Sequence, residues 1–160
     1  MTEHHTAGGM TRTVEHLSEL QPEMFCEVSP ELAEERGLEN GGWATVVTTR
    51  TAIEARVLVS DRLAPLKVQD RIVHQVGMPY HWGSRGVVRG DSANDLLGLA
   101  LDSNVHIGEY KVATCDIRPG RRPRGPDLVE LVEDYRRAQR VEPVREFSRD
   151  LEEGDGGRHS

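Results

Sequence analysis

The chain has 160 residues with 36% hydrophobic and only 4% aromatic side chains, which suffices for one globular domain with an aliphatic core. Its formal net charge of −7 argues against a nucleic-acid-binding protein or one that binds anionic membranes, since both need a basic face. No apolar run approaches the roughly 20 residues of a membrane span, and the polar residues after Met1 do not resemble a signal peptide, so we expect a cytoplasmic protein without membrane insertion.

The N-terminal part of the sequence predicts a loop, one strand and one helix. Residues 1–23 are polar and show no lasting period, which is typical of a loop with at most one helical turn. Residues 24–28 are short and mostly apolar and predict a strand. A helix follows, because Ser29 can cap its N-terminus, Pro30 suits the first helical position, and Gly37 can end it.

The clearest β pattern comes next. Residues 43–50 and 53–60 are rich in Val and Thr and are separated by a short polar turn. In the second run the side chains alternate between an apolar face and a mixed face. The first face carries Ile53, Ala55, Val57 and Val59, and the second carries Glu54, Arg56 and Leu58. Further strands are predicted at 65–68, 72–78 and 110–117, with a glycine-rich loop at 83–90 and a capped helical turn at 91–97. Many short strands joined by small elements favour a mainly β fold of the barrel type.

The C-terminal part is predicted to lie outside this domain. Segment 118–126 combines four arginines with prolines and glycines that interrupt helices and strands, so it is predicted to be a linker. Apolar residues at helical spacing predict a short amphipathic helix over 127–140, and residues 154–160 are expected to be disordered. The chain is thus divided into a domain at 1–117, a linker, and a helix with a tail at 127–160. We expect few contacts across the linker.

Histidines and cysteines are the first candidates for metal ligands. Four histidines could contribute: His4, His5, His16 and His106. Adjacent loop residues rarely ligate one metal, and neither Cys nor carboxylate stands at a recognised spacing, so the pattern is weak. Cys26 and Cys115 are far apart and form no Cys-x-x-Cys motif, which excludes an iron–sulfur cluster or structural zinc built within this chain. A buried reduced thiol is favoured over a disulfide between them.

Other residues suit a ligand that carries a flat ring and phosphates. The 77–83 stretch (Gly-Met-Pro-Tyr-His-Trp-Gly) places aromatic rings beside glycines, which suits stacking on a heterocycle or a plug at the end of a barrel. Asn94 is either an exposed helical residue or an amide that reads a guanine or pterin edge. Lys111 either lies in solvent or meets a phosphate as a point charge. Small residues beside Arg12, over 6–12, suit either a phosphate contact or a flexible leader.

The order of these and other short motifs resembles the C-terminal domain of molybdenum- or tungsten-dependent formate dehydrogenases. The motifs are His-Thr at 5–6, Met-Thr-Arg at 10–12, Gln-Pro-Glu at 21–23, Leu-Ala at 32–33, Gly-Gly-Trp at 41–43, Ile-Glu-Ala-Arg at 53–56, Asp-Arg at 61–62, Met-Pro-Tyr-His-Trp-Gly at 78–83, Ala-Asn-Asp-Leu at 93–96 and Glu-Tyr-Lys-Val at 109–112. They cover nearly all of residues 2–117 in the right order. The intact His-Trp-Gly and Ala-Asn-Asp-Leu pieces resemble this branch more than the periplasmic nitrate reductases of the wider molybdopterin oxidoreductase family.

The resemblance implies a six-stranded double-psi β-barrel that caps a bis(molybdopterin guanine dinucleotide) cofactor with Mo or W. The cofactor contacts that it implies are a loop of Thr2, Glu3, His4, His5 and Thr6, together with Tyr80, Asn94 and Lys111. The family's domain begins with an earlier strand that this sequence lacks.

The resemblance also places the metal-ligating residue, the catalytic His and Arg, and the iron–sulfur motif in other domains or a partner subunit. The chain is therefore expected to be a subunit or fragment of an oxidoreductase and not to be catalytic by itself. The alternative is a stand-alone, non-catalytic double-psi barrel that acts as an interaction or cofactor-carrier module. Neither interpretation involves nucleic acid.

Overall fold

The computed structural model describes residues 4, 8–80, 82–83 and 87–139. This part of the chain contains three α-helices: α1 Glu15–Leu20, α2 Pro30–Arg36 and α3 Pro126–Gln139. It also contains six strands: β1 Phe25–Val28, β2 Trp43–Val47, β3 Ala52–Val59, β4 Leu66–Val68, β5 Arg71–Val73 and β6 Asp116–Pro119. Two 3-10 turns cover Thr11–Thr13 and Ala93–Leu96. None of the described helices is long and apolar enough to cross a membrane.

Four of the strands form one mixed sheet in the order β1-β3-β2-β6, and β4 and β5 form a separate hairpin. β1 runs parallel to β3, with Cys26 opposite Val57, whereas β2 runs antiparallel to both β3 and β6. A parallel pair needs a crossover connection, which here includes α2 and β2. Strands β3 and β2 each have a partner on both sides, although β1 pairs only with the last four residues of β3, and the Glu54 amide donates to the Asp91 carboxylate instead.

Helix α2 forms as its local sequence predicts. The Ser29 hydroxyl accepts a hydrogen bond from the Leu32 amide at 3.2 Å, and Pro30 occupies the first turn. Gly37 ends the helix in the left-handed region with φ of 64°, which a residue with a Cβ rarely adopts. Leu32 and Ala33 are buried, so the helix packs one side into the core beneath the sheet.

The main core lies on one face of the four-stranded sheet, and the predicted alternation of β3 is confirmed there. Ile53, Ala55 and Val57 are all buried in this core, with Val59 packed at its margin. The other strands and the loops add further buried side chains, among them Met24, Cys26, Val28, Ala44, Val46, Trp82, Leu96 and Ile117. The opposite face of β3 is also covered, although its pattern predicts a more polar environment, since Glu54 is only 7% exposed.

The C-terminal part of the chain covers that second face, so the expectation of few contacts beyond residue 117 is wrong. Strand β6 extends to Pro119 and pairs with β2. Val132 and Tyr135 of α3 are buried in a second small core with Val47 and Ala52 of the sheet. The apolar stripe of α3 therefore packs on the sheet rather than lying apart. The three-part division of the chain stays a prediction.

Arginines of segment 118–126 pair with the carboxylates of Glu54, on β3, and of Asp91. Glu54 accepts hydrogen bonds from the guanidinium groups of Arg121 at 2.6 Å and Arg124 at 2.9 Å, and from the Arg122 amide at 3.2 Å. Asp91 accepts two bonds from the Arg122 guanidinium and one from the Glu54 amide. Burial alone would raise the pKa of Glu54, but the hydrogen bonds and charges of Arg121 and Arg124 lower it below the ordinary value.

The overall composition is mainly β with short helices and a C-terminal helix, as predicted. Among the described residues the strands form an open sheet and a hairpin rather than a closed barrel, so the double-psi topology stays a prediction.

Several local boundaries differ from the predicted ones, among them that of β2, which ends at Val47 rather than at residue 50. Strand β5 ends at Val73, and β6 begins only at Asp116, because residues 110–114 are exposed and pair with no strand in the described part of the chain. At the N-terminal end, α1 is a six-residue helix, longer than the single predicted turn.

Candidate functional site

A cavity of about 550 Å³ opens between the β4–β5 hairpin and the segment that precedes β6. The chain after β5, the 3-10 turn Ala93–Leu96 and residues 111–115 complete its wall. Its size lies within the range of roughly 300–1,000 Å³ that small-molecule sites occupy. The lining is mostly aliphatic, with a few polar side chains, which is the usual composition of a site that buries a ligand and orients it by a small number of hydrogen bonds.

Three residues that the sequence predicts as ligand contacts come together here. Tyr80 and Lys111 both line the cavity. Asn94 is not among the lining residues, but the Tyr80 hydroxyl donates a hydrogen bond to its side-chain oxygen at 3.3 Å, so its side chain is in contact with one residue of the lining. The site thus combines an aromatic ring, an amide and a cation, although Tyr80 and Lys111 are 31 residues apart in the sequence.

The local fold positions Asn94 firmly. The Ser92 hydroxyl accepts a hydrogen bond from the backbone N–H of Asn94 at 3.3 Å and so caps the 3-10 turn. Ala93 and Leu96, on either side of Asn94, are buried and line the cavity wall. The turn is therefore anchored by its apolar residues while Asn94 itself stays exposed.

His4 lies elsewhere, in a buried position against Trp82. It is 5% exposed, and its ring meets that of Trp82 edge to face with centroids 4.8 Å apart. Its Nδ1 lies 3.1 Å from the Thr11 hydroxyl, and its Nε2 lies 3.4 Å from the Gln21 carbonyl oxygen. His4 is not among the residues that line the cavity. The other predicted contacts of that loop, Thr2, Glu3, His5 and Thr6, lie outside the described residues.

The aromatic stretch 77–83 was predicted either to stack on a ligand or to fill the core as a plug, and different residues of it fit each interpretation. Trp82 is 1% exposed and donates its indole N–H to the Arg89 carbonyl at 2.9 Å, so it fills the core as a plug would. Tyr80, two residues earlier, faces the cavity. His81 lies outside the described residues. A single motif thus supplies one core residue and one candidate ligand contact.

The structure also brings to the cavity residues that the sequence did not single out. His74, just after β5, lines it, and its Nε2 lies 3.2 Å from a carboxylate oxygen of Glu35 on α2. Cys115, which the sequence singles out only as a thiol, lines it as well. Both residues come from short stretches without a recognisable motif, and only the packing of α2 and β5 brings His74 to Glu35.

Neither the cysteines nor the histidines form a metal site in the described part of the chain, where no group of three potential ligands occurs. Cys26 and Cys115 are free thiols. Burial raises the pKa of Cys26 to about 12 and also raises that of Cys115, so both remain protonated at neutral pH. The interpretation of Cys26 as a buried reduced thiol is confirmed.

A mixed sheet with a largely aliphatic cavity, lined by Tyr80 and Lys111 and with Asn94 bonded to Tyr80, is the arrangement typical of a small-molecule-binding domain. The family model described as "Molydopterin dinucleotide binding domain" matches residues 1–114, and the chain belongs to this family.

Three relatives of this chain are subunits of formate dehydrogenases. It is 42% identical over 118 residues to formate dehydrogenase 2 subunit alpha (cytochrome c-553) of Nitratidesulfovibrio vulgaris, a match that covers 74% of this chain and 12% of that protein. Formate dehydrogenase subunit alpha of Megalodesulfovibrio gigas is 40% identical over 69% of this chain and 11% of its own length. The nitrate-inducible major subunit of Escherichia coli is 43% identical over 61% of this chain and 10% of its own length. The matched region thus spans only about a tenth of each relative.

Proposed function

We propose that this chain binds and caps a bis(molybdopterin guanine dinucleotide) cofactor as the C-terminal part of a formate dehydrogenase, the enzyme that oxidises formate to carbon dioxide. The proposal is supported by the position of Tyr80 and Lys111 on one cavity, with Asn94 hydrogen-bonded to Tyr80, in a chain of this family. The bound group, with its Mo or W, would supply the redox chemistry. This chain would supply binding and orientation.

The residues at the cavity fit the chemistry of such a cofactor. The Asn94 amide carries both a donor and an acceptor, which suits the edge of a guanine or a pterin. The Tyr80 ring offers an aromatic surface and a hydroxyl, and its bond to Asn94 holds that amide in one orientation. Lys111 provides a positive charge for a phosphate.

For the N-terminal residues 2–6, the proposal keeps the contacts that the resemblance implies, except at His4. Thr2, Glu3, His5 and Thr6 remain proposed contacts. His4 instead would act by its packing on Trp82, since its ring nitrogens already lie within hydrogen-bond distance of Thr11 and Gln21. In this arrangement His4 anchors the loop to the core.

The metal ligand and the iron–sulfur cluster belong, in this proposal, to catalytic domains or a catalytic subunit in the same cellular compartment, which we take to be the cytoplasm. The alternative remains a stand-alone module that binds a partner or carries a cofactor without a role in formate oxidation. The two proposals differ in whether a catalytic formate dehydrogenase polypeptide accompanies this chain. Co-purification with a molybdenum- or tungsten-containing polypeptide that oxidises formate would favour the first.

The binding residues can be tested by Asn94→Ala and Lys111→Ala. In the complex with the catalytic part, the first change is expected to weaken cofactor binding by roughly 1–3 kcal/mol, because a buried ligand edge loses its hydrogen-bond partner. The second is expected to weaken binding at low salt and to matter less as the ionic strength rises, because it removes a single charge–charge contact. The measurement is molybdopterin bound per complex, determined at two salt concentrations.

Lys67→Ala is the matched control, because Lys67 lies on the exposed strand β4 and does not line the cavity. It should leave the cofactor content unchanged. Full cofactor retention by the Asn94→Ala, Lys111→Ala double variant would overturn the assignment of these two residues.

A further prediction is that the isolated chain does not oxidise formate, even when the cofactor is supplied. The resemblance places the metal ligand and the electron-accepting cluster outside this chain, so a bound cofactor would have no route for electrons. The measurement is reduction of an artificial dye by formate with the purified chain. Dye reduction above that of a heat-denatured sample would contradict the prediction.

A further inference from the structure

His74 is a titratable residue of the cavity wall that the proposed function does not use. It follows β5 and lines the cavity with a side chain that is 20% exposed. Its Nε2 lies 3.2 Å from a carboxylate oxygen of Glu35, on α2. Its Nδ1 is buried and has no hydrogen-bond partner among the described residues. Because buried polar atoms are nearly always hydrogen-bonded, such a nitrogen in a cavity wall indicates a contact with a ligand.

The contact with Glu35 determines what the Nδ1 atom of His74 can bind. An ionised carboxylate only accepts hydrogen bonds, so Nε2 carries a proton in this contact. Nδ1 is then an acceptor when the ring is neutral and a donor when the ring is an imidazolium. A phosphate oxygen can pair with Nδ1 only in the imidazolium, whereas an N–H group of a guanine or pterin can pair with it only in the neutral ring. The two kinds of ligand group therefore predict opposite pH dependences.

The charged groups on the α2 side of His74 favour the imidazolium. The Glu35 carboxylate is shared with Arg36, whose Nε lies 3.4 Å from its second oxygen. Glu31, one turn earlier on α2, is a second acidic neighbour. Hydrogen bonds from the Glu31 backbone and the Ser29 hydroxyl lower the pKa of Glu31, and the charge of His74 contributes to the same shift. Both carboxylates thus stabilise a positive charge on the ring.

The cavity side of His74 has the charge that suits an anion. The other titratable side chains in the lining formed by the described residues are Tyr80, Lys111 and Cys115, and this lining contains no carboxylate. Burial raises the pKa of Cys115, so its thiol does not add a negative charge at neutral pH. A wall that carries a lysine and no acid attracts a phosphate more than it attracts a neutral group.

We propose that His74 is a titratable contact of this cavity, whose imidazolium form donates a hydrogen bond from Nδ1 to a phosphate group of the ligand. This inference rests on the proposed function and assigns this part of the wall to the pyrophosphate of the cofactor. Nδ1 is covered by neighbouring atoms, so the contact requires a small rotation of the ring about the contact between Nε2 and Glu35. Glu35 is a positioning residue, because it holds the proton on Nε2 and leaves Nδ1 to the ligand.

Binding is therefore coupled to the uptake of one proton. Below the pH at which His74 loses its charge, the ring is already an imidazolium and the phosphate contact forms without proton uptake. Above that pH, a proton from the solvent must first be bound at Nδ1, so the affinity falls as the pH rises. Lys111 keeps its charge over the same range and contributes no such dependence.

The test measures the binding of diguanosine pyrophosphate to the full chain by isothermal titration calorimetry at pH 6 and pH 8. This probe contains two guanosines joined through a pyrophosphate, which keeps a constant charge over this range, so a pH dependence must come from the protein. Repeating the titration in buffers with different ionisation enthalpies gives the number of protons taken up. The ring nitrogens of His74, observed by nuclear magnetic resonance in nitrogen-15-labelled chain, report its protonation with and without the probe.

The unmodified chain is expected to bind the probe about fivefold or more tightly at pH 6 than at pH 8, since histidine changes its charge between these values. His74→Gln should bind with nearly equal affinity at both pH values. Glu35→Gln should retain a pH dependence but shift it to lower pH, because the imidazolium loses the carboxylate beside Nε2. His16→Gln is the matched control, because His16 is exposed on α1 and does not line the cavity. It should keep the full pH dependence.

Three results would overturn the inference. The first is equal affinity of the unmodified chain at pH 6 and pH 8, and the second is a pH dependence that His74→Gln leaves unchanged. The third is tighter binding at pH 8, which would assign a ligand N–H group to His74 instead of a phosphate. Melting curves show whether each variant is folded. If His74→Gln does not fold, the ring-nitrogen signals of the unmodified chain decide, since the inference requires the probe to increase the protonation of His74 at pH 7.

Failure of this inference and failure of the proposed function give different results. If Asn94→Ala with Lys111→Ala weakens the binding of the probe but the affinity does not depend on pH, the cofactor contacts stand and the role of His74 is wrong. If the binding depends on His74 and on pH but the double variant binds normally, the role of His74 stands and the assignment of Asn94 and Lys111 is wrong. Absence of binding at both pH values would overturn both proposals.

Discussion

Truncation after Ile117 is expected to lower the melting temperature of the isolated chain by roughly 15 °C or to prevent cooperative folding. The truncation removes half of β6 and the whole of α3. Val132 and Tyr135 are 6% and 5% exposed, and burial of such side chains contributes roughly 1.5–3 kcal/mol each. The loss would also expose Val47 and Ala52 and leave Glu54 without its arginine partners.

Truncation after Gln139 is the control for this experiment. It keeps every contact of α3 and of the arginine segment described above, so the melting temperature should stay within about 2 °C of that of the full chain. Thermal unfolding monitored by circular dichroism provides the measurement. If the chain ending at Ile117 melted within a few degrees of the full chain, the packing of α3 on the sheet would not contribute to stability.

Removal of both arginines that hold Glu54 is expected to have the second-largest effect. Arg121→Ala with Arg124→Ala would leave a carboxylate that is 8% exposed with only the Arg122 amide as a donor. The carboxylate is shielded although both guanidinium groups are more than half exposed, so the charge of Glu54 would lose most of its compensation, and we expect a loss of more than about 1 kcal/mol in the free energy of unfolding at pH 7. Denaturant unfolding measures it directly.

The pH dependence of this variant has a defined sign. In the unmodified chain the pKa of Glu54 is below its ordinary value. The contacts of Glu54 with its arginines therefore stabilise the fold at pH values above the pKa of Glu54 in the unfolded chain. This stabilisation is lost as the pH falls through the pKa of Glu54 in the folded chain. Without the two arginines, burial raises the pKa of Glu54, so protonation instead relieves the penalty. The difference in stability between the two proteins should therefore be largest at neutral pH and shrink towards pH 4.

Two controls separate the buried charge from other effects of the substitutions. Arg137→Ala removes an arginine whose side chain is 67% exposed and which pairs with Asp134 on the surface, so it should change the stability by less than about 1 kcal/mol. Addition of Glu54→Gln to the double variant should recover much of the loss, because the amide does not carry a charge. Part of the loss will persist, since Arg121 also lies over the Trp43 ring at 4.4 Å. A pH-independent loss that Glu54→Gln does not reduce would contradict the explanation.

Several elements could be predicted from the sequence because their determinants are local. The cap at Ser29 and the stop at Gly37 lie within one or two turns of the helix that they bound, and both act as predicted. The alternation of Ile53, Ala55 and Val57 reflects the period of a strand, which holds whatever the strand packs against. The resemblance to formate dehydrogenases likewise depended only on the order of short motifs, and the family assignment confirms it.

The structure overturns two predictions, a strand over residues 110–114 and few contacts beyond residue 117, and in both cases the outcome depends on a distant partner. Residues 110–114 have strand-like composition, but a strand needs a neighbour for its backbone groups, and this segment lines the cavity instead. Segment 118–126 has the composition of a linker. Its arginines nevertheless find Glu54, 67 residues before Arg121, and no local period encodes such a pairing.

For the candidate site, the sequence by itself determined which residue types are available and to which family they belong. It named Tyr80, Asn94 and Lys111, but gave no means to separate them from His4, which is equally polar and belongs to the same set of motifs. Only the tertiary structure decided that His4 packs against Trp82, that Tyr80 and Lys111 line one cavity, and that Asn94 is bonded to Tyr80. The physical reason is that burial and hydrogen bonding depend on residues that are far away along the chain, whereas a sequence motif contains only residues that are neighbours along the chain.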